Sequence, residues 1–284
     1  MRIIETILQK LDRRKFLGFP IWEFSYRSFF RQYGHFFLRE IALRHPLRTL
    51  AGLWAYRQVM RSERPVTRLC AGDEEAFLQR TCSESRGNAG QGDGFLVALS
   101  FCQKPLPHDG VSRGGCPAGR FNHECAVLGR PDPFVPEERL PFSCRTCDVR
   151  AFGLAALRAG ATVYIMTSAL DIGWDILVPI IDRHRFRQGI FFLCPYSVPA
   201  FILPLCIGQM EALFVPYNMG DCRNYGQFIR ADVGQKRERT QLSSVTREKV
   251  MALLDRIAAE RDCPSVRHFQ REGALFVSAA DGSG

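Results

Sequence analysis

Several features that would assign a function quickly are missing from this 284-residue chain. No G-x-G-x-x-G or G-x-x-x-x-G-K-[ST] run opens a helix, so nucleotide binding has no support in the sequence. A G-x-S-x-G elbow and an H-E-x-x-H pair are also missing, which removes the commonest hydrolase and metalloprotease signatures. No internal repeat is present. The segment Met1 to Lys15 has no apolar core, so it does not read as a secretory signal, and a reducing cytoplasm is expected. Disulfides are not the first explanation for the 11 cysteines. They fall well short of the roughly 8–10% that marks a disulfide scaffold, and their odd number leaves at least one thiol without an intramolecular partner.

A long apolar run is present, but it is not a convincing membrane span. Gly189 to Met210 carries no charge and is long enough to cross a bilayer. Pro195, Pro199 and Pro204 would each remove a backbone hydrogen bond, and the usual aromatic and basic flanks are missing. The run reads instead as a buried strand followed by a short buried helix.

The net charge of +9 is concentrated at one end. Residues 1–64 hold 13 Lys+Arg against 5 Asp+Glu, a net of +8, so the remaining 220 residues are close to neutral. Residues 1–64 read as two or three helices divided near Pro20 and Pro46. Trp22, Tyr26, Phe29, Phe30, Tyr33, Phe36 and Phe37 fall on a single helical face, with Arg27, Arg31 and Arg39 off that stripe. Such a face suits a membrane surface, with rings at the headgroup boundary and cations on anionic lipid. Packing on the protein's own core or on a partner protein through residues 16–64 is the alternative. No base-reading motif accompanies the arginines, so nucleic acid is not expected as a partner.

The run from Ser83 to Gly94 has no apolar side chain larger than alanine and reads as a linker. The domains are therefore expected at 1–82, a basic aromatic helical region, and 95–284, with 83–94 between them. After the linker, Phe95–Phe101, Thr162–Thr167, Ile190–Leu193 and Ala212–Val215 are continuous apolar runs, as strands buried on both faces should be. Helices are expected over Asp148–Gly160, Asp171–Phe186 and from about Ser244 to Asp262. This alternation predicts an α/β fold with a largely parallel open sheet and a cysteine-rich loop, preceded by the small helical N-terminal domain.

That loop spans residues 102–147 and holds five of the 11 cysteines and seven of the 16 prolines, with no helical or strand period. A loop of this length in a compact domain needs something besides secondary structure to organise it, and a metal or cluster would do so. Its thiols are Cys102, Cys116, Cys125, Cys144 and Cys147, with His108 and His123 as supplements. Cys144 and Cys147 form a C-x2-C pair leading into a helix, whose N-terminal dipole is expected to lower thiol pKa. Cys102 and Cys194 each follow a predicted strand, and Cys222 lies a few residues beyond another, so all three are expected at the carboxyl edge where α/β sheets bind ligands. Up to seven thiols would then share one rim. All-thiolate ligation suits zinc or an iron–sulfur cluster, and a single tight pair with scattered further ligands fits a cluster better than a zinc ribbon. Cys70, Cys82, Cys206 and Cys263 read as ordinary structural cysteines. Thr167, Ser168 and Asp171 after the second strand read first as turn and capping residues, with a role in the crevice as the alternative. Asp221 and Tyr196, beside Cys222 and Cys194, are further candidates.

The order Cys116-Pro117-Ala118-Gly119, Cys144-x2-Cys147 leading a helix, a strand at Thr162 and a strand ending in Cys194 resembles uncharacterised cysteine-rich α/β domains of unknown function that are thought to bind metal clusters. The resemblance spans residues 95–235, and the basic aromatic N-terminal region departs from it. It implies a metal or cluster held by thiols and carries no established activity. The sequence therefore leads to an expectation of a cytoplasmic iron–sulfur redox protein ligated by Cys116, Cys125, Cys144 and Cys147, with Cys102, Cys194 and Cys222 in reserve. Its redox partner is unspecified. The alternative is a zinc-stabilised interaction module without catalysis.

Overall fold

A computed structural model describes residues 15–16, 19–20, 33–61, 77–78, 81, 94–107, 114–130, 132–261 and 269–278. Trp22, Tyr26, Phe29, Phe30, His108, Cys70, Cys82, Cys263 and nearly all of the expected linker lie outside them.

Six strands form one mixed sheet: β1 (Phe95–Ser100), β2 (Thr162–Met166), β3 (Gln188–Leu193), β4 (Glu211–Pro216), β5 (Phe269–Glu272) and β6 (Leu275–Ser278). Their spatial order is β4-β3-β1-β2-β6-β5. The first four strands are mutually parallel. Their order, with β1 beside both β2 and β3, is a doubly wound one that reverses direction between β1 and β3. An antiparallel hairpin, β5–β6, extends the β2 edge. The sequence reading did not anticipate it, because its residues alternate polar and apolar only weakly and Gly273 at the turn lies among several charged residues.

Alternate residues of the parallel strands feed two separate cores, as the two-residue period requires. Val97, Leu99, Val163, Ile165, Ile190 and Phe192 face one side. There they meet Phe152 and Leu157 of helix α2 (Asp148–Arg158) and Leu254 and Ile257 of helix α6 (Ser244–Glu260). Leu96, Ala98, Tyr164 and Phe191 face the other side, against Ile172, Ile176, Ile180 and Ile202. Helix α2 ends as its sequence indicates: Gly160 takes a φ of 69°, and the Ala161 N–H donates to the Ala156 carbonyl at 2.9 Å, closing a Schellman turn.

The expected helix over Asp171–Phe186 is interrupted. A short helix, Ala169–Ile172, passes through a π turn at Gly173–Leu177 into helix α3 (Val178–Arg183), and His184 at φ 50° stops it. Pro179 accounts for part of this, since it cannot donate within the helix. Ile172, Ile176, Ile180 and Ile181, spaced along it, are all buried. The charge-free run resolves into β3 and helix α4 (Val198–Gly208), and among the described residues no helix is long and apolar enough to cross a membrane. Helix α5 (Tyr225–Asp232) was not anticipated.

Near the N-terminus, Tyr33–Phe36 and a π turn over Phe37–Ala42 lead to helix α1 (Pro46–Arg61). Helix α1 lies along α4, with Gly52 facing Ile207.

Candidate functional site

Because β1 and β3 are parallel, the chain segments after both emerge on the same carboxyl edge, and the reversal of direction between them leaves a crevice there. Cys102 follows β1 in a tight turn, Phe101–Gln103, that Ser100 caps by accepting the Cys102 N–H at 3.2 Å. Cys194 follows β3 directly. Cys222 lies six residues after β4, in a segment turned back by Gly220 at φ 62°, where a Cβ would stand 2.1 Å from the Arg239 carbonyl oxygen. The Cys222 N–H donates to Cys194 Sγ at 3.2 Å, and Lys236 Nζ donates to Cys222 Sγ at 3.1 Å. The Cys194 thiol also hydrogen-bonds to the Cys222 sulfur, which holds Cys222 below the usual thiol range, with Lys236 adding to the effect against burial. The same hydrogen bond, with burial, pushes Cys194 up. Cys102 completes this group of three, and burial raises it to about 11.

A second group forms from the 102–147 segment. Cys116, Cys125, Cys144 and Cys147 come within electrostatic reach of one another, since Cys116 and Cys125 each raise both Cys144 and Cys147. Two of the sulfurs accept backbone donors, Cys125 from the Val127 and Leu128 N–H groups and Cys147 from that of Arg150 in the first turn of α2. The expectation that the α2 dipole lowers the Cys147 thiol is overturned. Cys147 sits in the apolar core, and burial outweighs the dipole and the Arg150 N–H, raising it to about 12. Cys144 packs with Val127 and Leu140 and is likewise raised, chiefly by burial.

Among the seven thiols predicted for one rim, the strongest mutual influences run within a group of four and a group of three. Among the described residues, no three His, Cys, Asp or Glu side chains lie close enough together to hold one metal ion.

Each group has its own buried lysine, and the sequence reading missed both. Lys104 Nζ spends its three protons on the Gly119 carbonyl at 3.2 Å, the Asn122 carbonyl at 2.8 Å and Asn122 Oδ1 at 2.7 Å. Burial lowers its pKa, while Cys116, Cys125 and Cys147 oppose that shift. Lys236 stands in the same relation to Cys194, Cys102 and Cys222, whose combined effect outweighs burial and raises it. The chain contains only five lysines among its 38 Lys+Arg. That scarcity was the available signal, since lysine, unlike arginine, supplies a compact point charge that packs against sulfur.

Two arginines tie the groups together. Arg120 donates to the Lys236 and Glu238 carbonyls and, at 3.3 Å, to that of Cys102. Arg239 donates to the Gln103 carbonyl at 3.0 Å and the Thr146 carbonyl at 2.9 Å. Beside them a cleft of about 860 Å³ is lined in part by Arg230, Lys236, Arg237 and Glu238. An adjoining cavity includes Asp221 and Arg223, the neighbours of Cys222.

No known family, curated protein or solved structure matches this chain.

His123 does not join the thiols. Its Nδ1 lies 2.8 Å from the Ile165 carbonyl and so carries the proton, and its Nε2 lies 3.3 Å from Thr167 Oγ1. Its ring stacks on Tyr164, whose hydroxyl donates to Asp175 at 3.0 Å. Thr167 donates to Asp171 at 2.5 Å, while Ser168 and Asp171 form a reciprocal cap at the start of the Ala169–Ile172 turn. The capping role expected for Ser168 and Asp171 is therefore present. Tyr196 packs near Phe228, with ring centroids 6.3 Å apart.

Proposed function

We propose that Cys116, Cys125, Cys144 and Cys147 ligate an iron–sulfur cluster and that the protein works in electron transfer or redox chemistry in the cytoplasm. The observation carrying this reading is that Cys116 and Cys125 lie within electrostatic reach of both Cys144 and Cys147, from positions up to 31 residues apart, and that Cys116, Cys125 and Cys147 also act on the buried Lys104. A bound cluster would supply one-electron transfer. The donor set fits it in three respects. All four groups are thiols, two sulfurs already accept backbone N–H groups, and the buried Lys104 ammonium offsets the negative charge that thiolates bring. A zinc ion would draw its thiolates to about 4 Å from one another, given Zn–S bonds of about 2.3 Å. A cluster is a larger body whose ligands stand further apart, which suits thiols in electrostatic reach without mutual contact.

Anaerobic purification with iron, zinc and acid-labile sulfide analysis, together with a visible spectrum, tests it. Broad absorption near 400 nm with matching iron and sulfide is expected. A colourless protein with one zinc and neither iron nor sulfide would replace it with the zinc-stabilised interaction module. Alanine at Cys144 and Cys147 should remove the metal, and unchanged metal content would exclude both residues.

The N-terminal helical region is proposed to dock the protein on an anionic membrane surface. Leu43, Leu47, Leu50 and Trp54 recur at spacings of four, three and four residues and remain 69%, 80%, 64% and 68% exposed. Helix α1 contains no acidic residue and carries Arg48, Arg57 and Arg61.

A further inference from the structure

The three-thiol group at the carboxyl edge is not used by the proposed cluster, and its internal geometry is that of a reactive pair. Cys194 and Cys222 hydrogen-bond to each other through sulfur, the Cys222 N–H binds Cys194 Sγ at 3.2 Å, and Lys236 Nζ binds Cys222 Sγ at 3.1 Å. Two cysteines joined by hydrogen bonds, one of them also held by an ammonium, supply the attacking and resolving thiols that disulfide exchange needs. Arg230, Lys236 and Arg237 give the adjacent cleft a cationic wall, opposed by Glu238.

We propose that Cys194 and Cys222 form a dithiol–disulfide exchange centre acting on a carboxylate-bearing low-molecular-weight disulfide, with Cys222 as the attacking sulfur, Lys236 as its counterion and Cys194 as the resolving thiol. The Cys222 thiolate attacks one sulfur of the substrate, the substrate's S–S bond breaks, and the first product leaves as a thiolate that takes up a proton. Cys194 then loses its proton and attacks Cys222, and the Cys222–substrate bond breaks to release the second thiol. The protein gains one disulfide, and the substrate disulfide is reduced to two thiols, so two electrons and two protons pass to the substrate. The groups facing Cys222 are Cys194, Lys236 and Asp221, with Cys102 beyond them. Asp221 is the one that opposes ionisation. This centre is independent of the cluster: neither Cys194 nor Cys222 is among its four ligands.

The full-length protein, equilibrated with glutathione buffers of graded potential and then alkylated and mapped by peptide mass, tests the proposal. A Cys194–Cys222 cross-link appearing in one two-electron transition is expected, and Cys102→Ser should leave it in place. In Cys194→Ser, Cys222 should accumulate a glutathionyl group. Lys236→Met should slow alkylation of Cys222 at neutral pH about tenfold, and Lys236→Arg should restore much of the rate. Oxidised glutathione should react faster than cationic cystamine. Thiols that stay reduced across the whole series would overturn the proposal, as would zinc bound by Cys194 and Cys222, or a cross-link that uses Cys102 instead. Iron content unchanged in Cys222→Ser is the expected result, and its loss would move Cys222 into the cluster and overturn the exchange centre alone.

Discussion

Lys104 Nζ lies 2.7 Å from Asn122 Oδ1 and 2.8 Å from the carbonyl oxygen of the same residue, so one buried ammonium grips both side chain and backbone of Asn122. Asn122 passes this on, donating from its side chain to the Ala118 carbonyl at 2.6 Å and accepting the Glu124 N–H at 3.0 Å. The stretch from Ala118 to Glu124 is thus held between Cys116 and Cys125 without a strand or a helix. Over these residues a buried cation does part of the organising that the sequence assigned to a metal.

Replacing Lys104 by methionine should therefore disorder that stretch while leaving the sheet intact. The substitution leaves three oxygens without their donor, at about 1–3 kcal/mol for each acceptor that water cannot reach. A fall in unfolding free energy of about 3 kcal/mol is expected from urea titration, together with faster amide exchange at residues 118–125 and unchanged protection in β1 to β4. Uniform loss of protection across the sheet would show that Lys104 supports the whole core instead.

Gly220→Ala should perturb the Cys222 segment. The residue has a φ of 62°, and its added Cβ would meet the Arg239 carbonyl oxygen at 2.1 Å, a contact between backbone atoms that no rotamer relieves. Destabilisation of about 1–3 kcal/mol is expected by thermal or urea unfolding. Arg239 also holds the Thr146 carbonyl between Cys144 and Cys147, so metal content should be measured on the same sample. A stability equal to the parent's would show that the segment has room to move.

The parallel sheet was legible because Phe95–Ser100, Thr162–Met166 and Gln188–Leu193 are buried on both faces, which leaves continuous apolar runs in the sequence. The β5–β6 hairpin was not, because Gln270, Arg271 and Glu272 face solvent and break the pattern. In the site, strand ends predicted where Cys102 and Cys194 would emerge, since the topology fixes that edge. The division into four and three thiols depends on side-chain contacts across the fold, such as Arg120 reaching Lys236, which no spacing encodes. The direction of the Cys147 shift was misread for a related reason. A helix N-terminus is visible in sequence, whereas the apolar packing that outweighs it is not.

Asp232 should make the fold less stable as pH rises. Burial raises its carboxyl to about 6, against which the Ala169 N–H at 2.6 Å is a partial offset. An ordinary unfolded aspartate titrates near 3.9, so between about pH 4 and 6 the folded state binds more protons than the unfolded one. The stabilisation from this group is complete below that window and is lost as pH climbs through it, on the order of 2–3 kcal/mol. Asp232→Asn keeps an oxygen for the Ala169 N–H and removes the charge. It should raise stability at pH 7 and flatten the pH 4–6 slope in urea titrations, and an unchanged slope would assign it to another group.

Helix α1 offers the most direct test of docking because its exposed residues can be changed without touching the core. Leu47 and Leu50 are 80% and 64% exposed, so Leu47→Glu and Leu50→Glu together should alter folding stability by no more than about 1 kcal/mol. At a bilayer each leucine would contribute about 1.5–3 kcal/mol, and the added carboxylates would repel anionic headgroups. Flotation with phosphatidylglycerol-containing vesicles should therefore fall by at least about 100-fold in apparent affinity, taking about 3 kcal/mol for the pair. Binding of the parent should weaken in zwitterionic vesicles and in high salt, because the exposed Arg57 on a helix without acidic residues supplies an electrostatic part. Equal flotation of parent and variant would end the membrane reading. A parent that is dimeric in solution and a variant that is monomeric would assign the same leucine face to a second copy of the chain.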